Sequence, residues 1–544
     1  MSKETQQSFV KGAAILGVAA VIIKVIGAFF RIPLANMLGD EGMSFYQTAY
    51  PFYIWLTVIS TAGLPAAIAK IIAEKRAEGN YRGAKKVFKI AMILMTSIGA
   101  VGMIAMLLGA VPISTYVKNE GAFYSFIALA PAILFVSMMS AMRGYFQGIQ
   151  EMRPYAISQV VEQLFRVFLG LGLASMLASR GLELSSAGAT FGASAGGFFG
   201  FAIIGIMYLR HRKQHTEPET LGFPEESTKS IMGKILKIAV PITIGASVIP
   251  LMSMLDLAII MPRLHSIGIV EQANDMYGQL TGYAQTLVNL PQTITAAVQI
   301  ALIPAIAAIA VKGNKKELEQ TIETGIRLGV IIGLPASLGM VILAEPIMKL
   351  LYPMQMDIAA STGAILSILG WGVLFLSIYQ VTTGILQGLG KQWVPARNLA
   401  VGAVFKGILS YTLVGIPSLN IKGAAIATIT TFAIAGVLNM ISLIKHSGVK
   451  VSIKNILLKP AISGAVMVVF VKLAYWAVEI LGMNFLSPNN AGRLATVGGV
   501  GIGALVFLVM ILATGALTDE DLAMMPGGSK IKRLADKLQR KKAA

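Results

Sequence analysis

Apolar runs of about 20 residues recur along almost the whole chain, and each is long enough to cross a bilayer as a helix. About fourteen can be counted, starting near Val10, Tyr46, Val87, Ala122, Tyr155, Ser185, Ile235, Tyr277, Thr321, Ile358, Val394, Lys422, Ile456 and Arg493. None alternates apolar and polar residues over about 10 positions, as a barrel strand would. The pattern predicts an all-α integral membrane protein of about fourteen transmembrane helices. Prolines inside the runs (Pro51 and Pro65 in the second, Pro241 and Pro250 in the seventh, Pro291 and Pro304 in the eighth) predict kinks with freed carbonyls.

The longest polar interruption before the tail, 210–230, holds Pro218 and Pro224 and reads as a linker between comparable halves. The expected organisation is a first six-helix lobe over 1–210, a linker over 211–232 and a second six-helix lobe over 233–448. Two further helices over 449–515 and a basic tail over 516–544 complete it. The halves resemble each other in order. Gly144-Tyr-Phe-Gln147-Gly148 is echoed by Gly384-Ile-Leu-Gln387-Gly388, 240 positions on. Leu64-Pro65-Ala66-Ala67 is echoed by Ile303-Pro304-Ala305-Ile306, and a Gly-Asn basic loop follows each (Gly79-Asn80, Gly313-Asn314). Six spans per copy give both the same orientation, a parallel repeat about an axis along the membrane normal.

Composition agrees: 55% of the 544 residues are hydrophobic and 13% charged, about half the charged share of a soluble domain. The net charge of +19 is spread over short loops, so it reports topology rather than nucleic acid. The cationic loops, including Lys75 to Lys89, Arg210 to Lys237, Lys312 to Lys316 and Lys445 to Lys459, fall on one side of the count. The opposite loops hold isolated cations such as Lys118, Arg180 and Lys422. This places both termini in the cytoplasm of a multi-pass cell-membrane protein. The first run reads as a retained span rather than a cleavable signal peptide. The tail segment 529–540 fits a short helix on an anionic leaflet and a solvated tail equally well.

Chemistry is excluded more than it is offered. There is no cysteine, the four histidines form no ligand cluster, and neither a Walker A pattern nor a nucleophile–base pair is present. The expectation is no enzyme, no metal and no cofactor, with any driving force drawn from membrane potential or an ion gradient. The charges inside the spans are the informative residues, because each costs on the order of 3 kcal/mol at bilayer depth. Lys24 lies roughly 20 Å along the first span and Arg31 near its outer end. Arg166 lies roughly 18 Å into the fifth span, and Lys406, 240 positions later, at nearly the same depth in the matching one. Glu162 precedes Arg166 by four residues, so the two share a helix face and pair. Asp256, in the seventh span, is a counter-ion for Lys24, a proton or cation site, or an outer residue reaching water.

Fourteen spans as six, six and two, the paired Gly-x-x-Gln-Gly segments, and the opening with Lys24-Val-Ile-Gly27 and Arg31-Ile-Pro33 resemble the MOP exporter superfamily. Within it the chain is similar to the polysaccharide-biosynthesis branch, which includes the stage V sporulation protein B type and the MurJ-type lipid II flippases of Gram-positive bacteria. The resemblance implies two lobes around a cationic cavity that meets the diphosphate of a lipid-linked sugar, and a groove on the last two spans for its polyprenyl tail. The expected function is a flippase carrying a lipid-linked anionic oligosaccharide, foremost the peptidoglycan precursor lipid II, from the inner to the outer leaflet by alternating access. Lys24, Arg31, Arg166 and Lys406 are its expected cavity cations, and Glu162 and Asp256 its counter-ion or ion-coupling groups. Its expected partners are membrane lipids and cell-wall synthesis proteins, not nucleic acid. The alternatives are a flippase for another polysaccharide repeat unit, a cation-coupled multidrug or metabolite exporter, and an envelope-assembly scaffold without transport.

Overall fold

The computed structural model describes residues 3–214, 223–449 and 452–517, with the side chains of 3–21, 24, 25, 28 and 453–455 outside that description. The described chain is helical throughout and carries no strand. Twelve stretches are long and apolar enough to cross a membrane. Counting both limbs of the first helix and the less apolar Trp393–Val414 brings these to the expected fourteen.

The chain divides into two compact units, Met1–Gly278 and Gln279–Ala544. The first holds α1 (Lys3–Thr61), α2 (Leu64–Ala77), α3 (Tyr81–Tyr116), α4 (Phe123–Gly148), α5 (Met152–Leu177), α6 (Leu182–Gln214), α7 (Thr228–Ser266) and α8 (Ala273–Gly278). Two crossings are joined in α1 by a break at Gly39, whose φ of 68° belongs to the left-handed region that only glycine enters without strain. The second crossing breaks again before Leu64. The expected interior kink at Pro65 is instead a helix start, since Pro65 stands in the first turn of α2, where its missing N–H costs nothing. The break is set by packing: a Cβ on Gly63 would run into the Ala239 carbonyl of α7. Thus α7 packs on α1, α2 and α3 within this unit. It continues as one helix through Pro241, Pro250 and Pro262.

The second unit holds a π-helical turn (Gln279–Ala284), α9 (Gln285–Lys312), α10 (Lys315–Ile342), α11 (Ala344–Leu351), α12 (Ala359–Gly388), α13 (Trp393–Val414), α14 (Ile421–Ser447), α15 (Ile453–Met483) and α16 (Pro488–Ala513). The last two helices pair with each other and dock on α10 and α11 through an apolar cluster including Leu343, Met467, Val471, Phe507 and Ile511.

The sequence repeat turns out to be a packing repeat. Gly144 and Gly148 of α4 let that helix lie against Pro65, Ile68, Ala69 and Ile72 of α2. Gly384 and Gly388 of α12 do the same against Gln299, Ile303 and Ile306 of α9. Gly99 on Ser137 and Gly333 on Ser377 form a second matched pair. Small residues that let backbones approach are what drive helix association in lipid, where apolar burial between helices gains little. The two motif families of the sequence are therefore the two sides of one helix contact, made once in each unit.

Candidate functional site

Inside the first unit, helices α1, α4 and α5 bring together a cluster of arginines, tyrosines and one carboxylate. Glu162 and Arg166, one turn apart on α5, form the pair their spacing predicts, with Arg166 Nη2 donating to Glu162 Oε1 at 3.1 Å. The other carboxylate oxygen, Oε2, accepts from Arg143 Nη2 of α4 at 3.0 Å. Arg143 also donates from Nε to Ser158 Oγ at 2.9 Å and lies 5.3 Å from the ring centre of Tyr155. Arg166 Nη2 donates to Tyr53 OH at 2.9 Å, while its Nε is buried and makes no hydrogen bond.

From Tyr53 the cluster continues along α1. The rings of Tyr53 and Tyr50 are 5.6 Å apart, those of Tyr50 and Tyr46 stack at 5.2 Å, and the Arg31 guanidinium lies 5.7 Å from the Tyr50 ring centre. A guanidinium on the negative face of a tyrosine is attracted by the ring quadrupole. Two arginines, Arg143 and Arg166, thus share the one carboxylate of Glu162 within a membrane-spanning unit. The side chains of Glu162 and Arg166 retain 15% of their exposure and that of Arg143 8%.

The backbone reason lies in α6. Gly192, Gly196 and Gly200 form a bare stripe under α5, where a Cβ on Gly196 would strike the Glu162 carbonyl and one on Gly192 the Arg166 carbonyl. With α6 that close on one side, α5 is fixed in the register that carries Glu162 and Arg166 to Arg143 and Tyr53.

Arg31, Glu162 and Arg166 are therefore brought together. Lys24 is on α1, three residues before Gly27, whose Cβ position lies 3.5 Å from Gln163 of α5, but its own side chain lies outside the described residues. Asp256 sits half-buried on α7, within electrostatic range of the buried Tyr277 of α8. Lys406 belongs to the second unit, on α13, where it is 5% exposed. The second unit's counterpart of the Arg143–Ser158 contact is uncharged: Asn398 donates to Asn439, and Asn439 donates to Thr383 at 3.0 Å. Sequence reasoning missed Arg143, Tyr50 and Tyr53. Arg143 did leave a signal, standing immediately before the Gly144 motif where the second copy has Thr383. Among the described residues no cluster of metal-ligating side chains occurs.

A family model described as polysaccharide biosynthesis protein matches residues 9–310, more than half of the chain. The chain belongs to this family. A second model, MatE, matches 281–412, within the second unit. Curated relatives include stage V sporulation protein B of Bacillus subtilis (strain 168), 26% identical over 96% of this chain and 98% of the relative. Lipid II flippase MurJ of the same organism is 27% identical over 92% and 94%. Among solved structures, an inward closed conformation of lipid II flippase MurJ superimposes with a TM-score of 0.65 at 14% identity, over 91% of this chain and 98% of that one. At that identity the superposition speaks for the fold alone. This polysaccharide biosynthesis protein is a multi-pass membrane protein of a family of transporters, not enzymes.

Proposed function

We propose that this polysaccharide biosynthesis protein is a flippase for a lipid-linked anionic oligosaccharide, in the first place undecaprenyl-diphosphate-linked lipid II, moved from inner to outer leaflet by alternating access. The observation that carries the reading is the pair Arg143 and Arg166 sharing the single carboxylate of Glu162 beside the tyrosines of α1. A diphosphate cannot enter hydrocarbon alone, and guanidinium forks match its oxygens in charge and geometry. Tyrosine rings offer sugars a flat partner beside those charges. Lys24 in the first unit and Lys406 in the second are further candidate cations for such a cargo, and Asp256 is the ion-coupling carboxylate, with membrane potential or an ion gradient as driving force. The protein would act in the cell membrane with both termini cytoplasmic, next to the enzymes that make and use its cargo.

The test uses cells depleted of their other flippases. Lys24, Arg166 and Lys406 are replaced singly by Ala and by the other basic residue, and lipid II exposed at the outer leaflet is measured. Exposure is expected to fall at least about tenfold in the Ala variants and to recover in part in the basic ones. Normal exposure in every Ala variant would overturn the charge-capture reading. A cation-coupled exporter is the second reading, favoured by the MatE match and by the half-buried Asp256. Dye efflux abolished by Asp256→Asn, with lipid exposure untouched, would select it.

A further inference from the structure

Resting on the flippase reading, we propose that Glu162 is an internal counter-anion that occupies the arginine pair between cargoes and exchanges places with the cargo's phosphate. One carboxylate is divided between two guanidiniums, a single oxygen to each, at 3.0 Å from Arg143 and 3.1 Å from Arg166. Neither arginine gives it the two-pronged contact that makes arginine–anion pairs strong. The donor capacity left over is visible: Arg166 Nε is buried and makes no hydrogen bond.

Both arginines are also anchored without Glu162. Arg143 is held by Ser158 Oγ and the face of Tyr155, and Arg166 by the hydroxyl and face of Tyr53. If the carboxylate swings away, the two guanidiniums stay where they are, still aimed at the space it left. A diphosphate presents pairs of anionic oxygens to guanidiniums as a carboxylate does and carries more charge in total, so it can take over both contacts and reach the unused Nε–H as well.

The exchange solves a problem that a purely cationic site would have. A carrier must let go, and bare buried arginines closing on a diphosphate would hold it. A carboxylate tethered four residues from Arg166 competes at high effective concentration and returns as the cargo leaves. The matching positions of the second unit carry no carboxylate: Gly402 and Ala403 stand four and three residues before Lys406, where Glu162 stands four before Arg166.

The experiment measures binding of farnesyl diphosphate, with farnesol as uncharged control, to the purified full-length protein in nanodiscs. Wild type is compared with Glu162→Gln, Glu162→Ala and Glu162→Asp. The Gln and Ala variants are expected to bind the diphosphate about tenfold tighter and to release it more slowly, with farnesol binding unchanged and Asp close to wild type. Equal or weaker diphosphate binding in Gln and Ala, while wild type still prefers it to farnesol, overturns the exchange and leaves the flippase reading standing. Failure of wild type to prefer the diphosphate overturns both. Should the variants not fold, wild type itself gives the answer: a membrane-permeant carbodiimide should label Glu162 faster when farnesyl diphosphate is present. Unchanged or slower labelling overturns the proposal.

Discussion

Arg143 is the residue on which the cluster turns, because it connects α4 to α5 through two polar contacts in a largely buried site. Truncation should leave the Glu162 and Ser158 acceptors short of a donor in a nearly closed site, at a cost of about 2 kcal/mol. Arg143→Ala is therefore expected to melt at lower temperature in detergent than Arg143→Lys, and to lose transport where Lys keeps part of it. Unchanged melting in both would mean that the contact does not hold α4 to α5. At this scale the sequence was legible where partners are local: Glu162 and Arg166 pair because a helix puts i and i+4 together. It was silent on Arg143, since a contact spanning 19 positions depends on how two helices cross and on rotamers chosen after they have packed.

Among the elements, the glycines of the repeat were readable as a motif but not as an interface. Their meaning appears once α2 is seen under Gly144 and Gly148, and α9 under Gly384 and Gly388. The start of α2 was misread for a related reason. Proline alone marks a disturbance, and it took α7 lying against Gly63 to show that the chain stops and restarts there. The segment entering α7 is tied down as well. Glu226 contacts Lys75 at 2.5 Å and Lys234 at 2.7 Å, and Glu225 contacts Lys86 at 2.9 Å. Hydrogen bonds from Lys234 and then Lys75 hold the Glu226 carboxyl below its usual range, and Lys86 does the same for Glu225. Depressed carboxyls protonate later than those of an unfolded chain. The tie is therefore complete above about pH 4.5 and fades as pH falls through the lowered values. Hydrogen exchange at 223–227, corrected for its intrinsic pH dependence, should rise below about pH 4 and in high salt. Lys75→Gln should bring the same rise at neutral pH, and protection that ignores both pH and salt would contradict the ion pairs.

For the whole molecule, hydropathy nearly sufficed to count the crossings, because most supply about 20 apolar residues regardless of their neighbours, with the less apolar α13 the exception. The loop charges then assign sides, and the chain lends itself to checking them: with no native cysteine, any introduced thiol reports from one place. Lys312→Cys, after α9, should resist a membrane-impermeant maleimide in intact cells and react after lysis, whereas Arg180→Cys should react in both. The reverse result at either position would invert the proposed orientation. Both positions are exposed, so neither substitution disturbs packing.

The matched glycine contacts and the unmatched charges lie on different residues of the same duplicated helices. Gly144 and Gly384 preserve one architecture in both copies, while positions 162 and 166 in one copy and 402 and 406 in the other hold different chemistry. On the proposed flippase reading, a chain with this internal repeat can alter what it carries by changes in one copy alone, without altering the glycine contacts on which either copy packs. On that same flippase reading, the α5 positions around Glu162 are the ones to randomise when a different headgroup is wanted, with the glycines left alone.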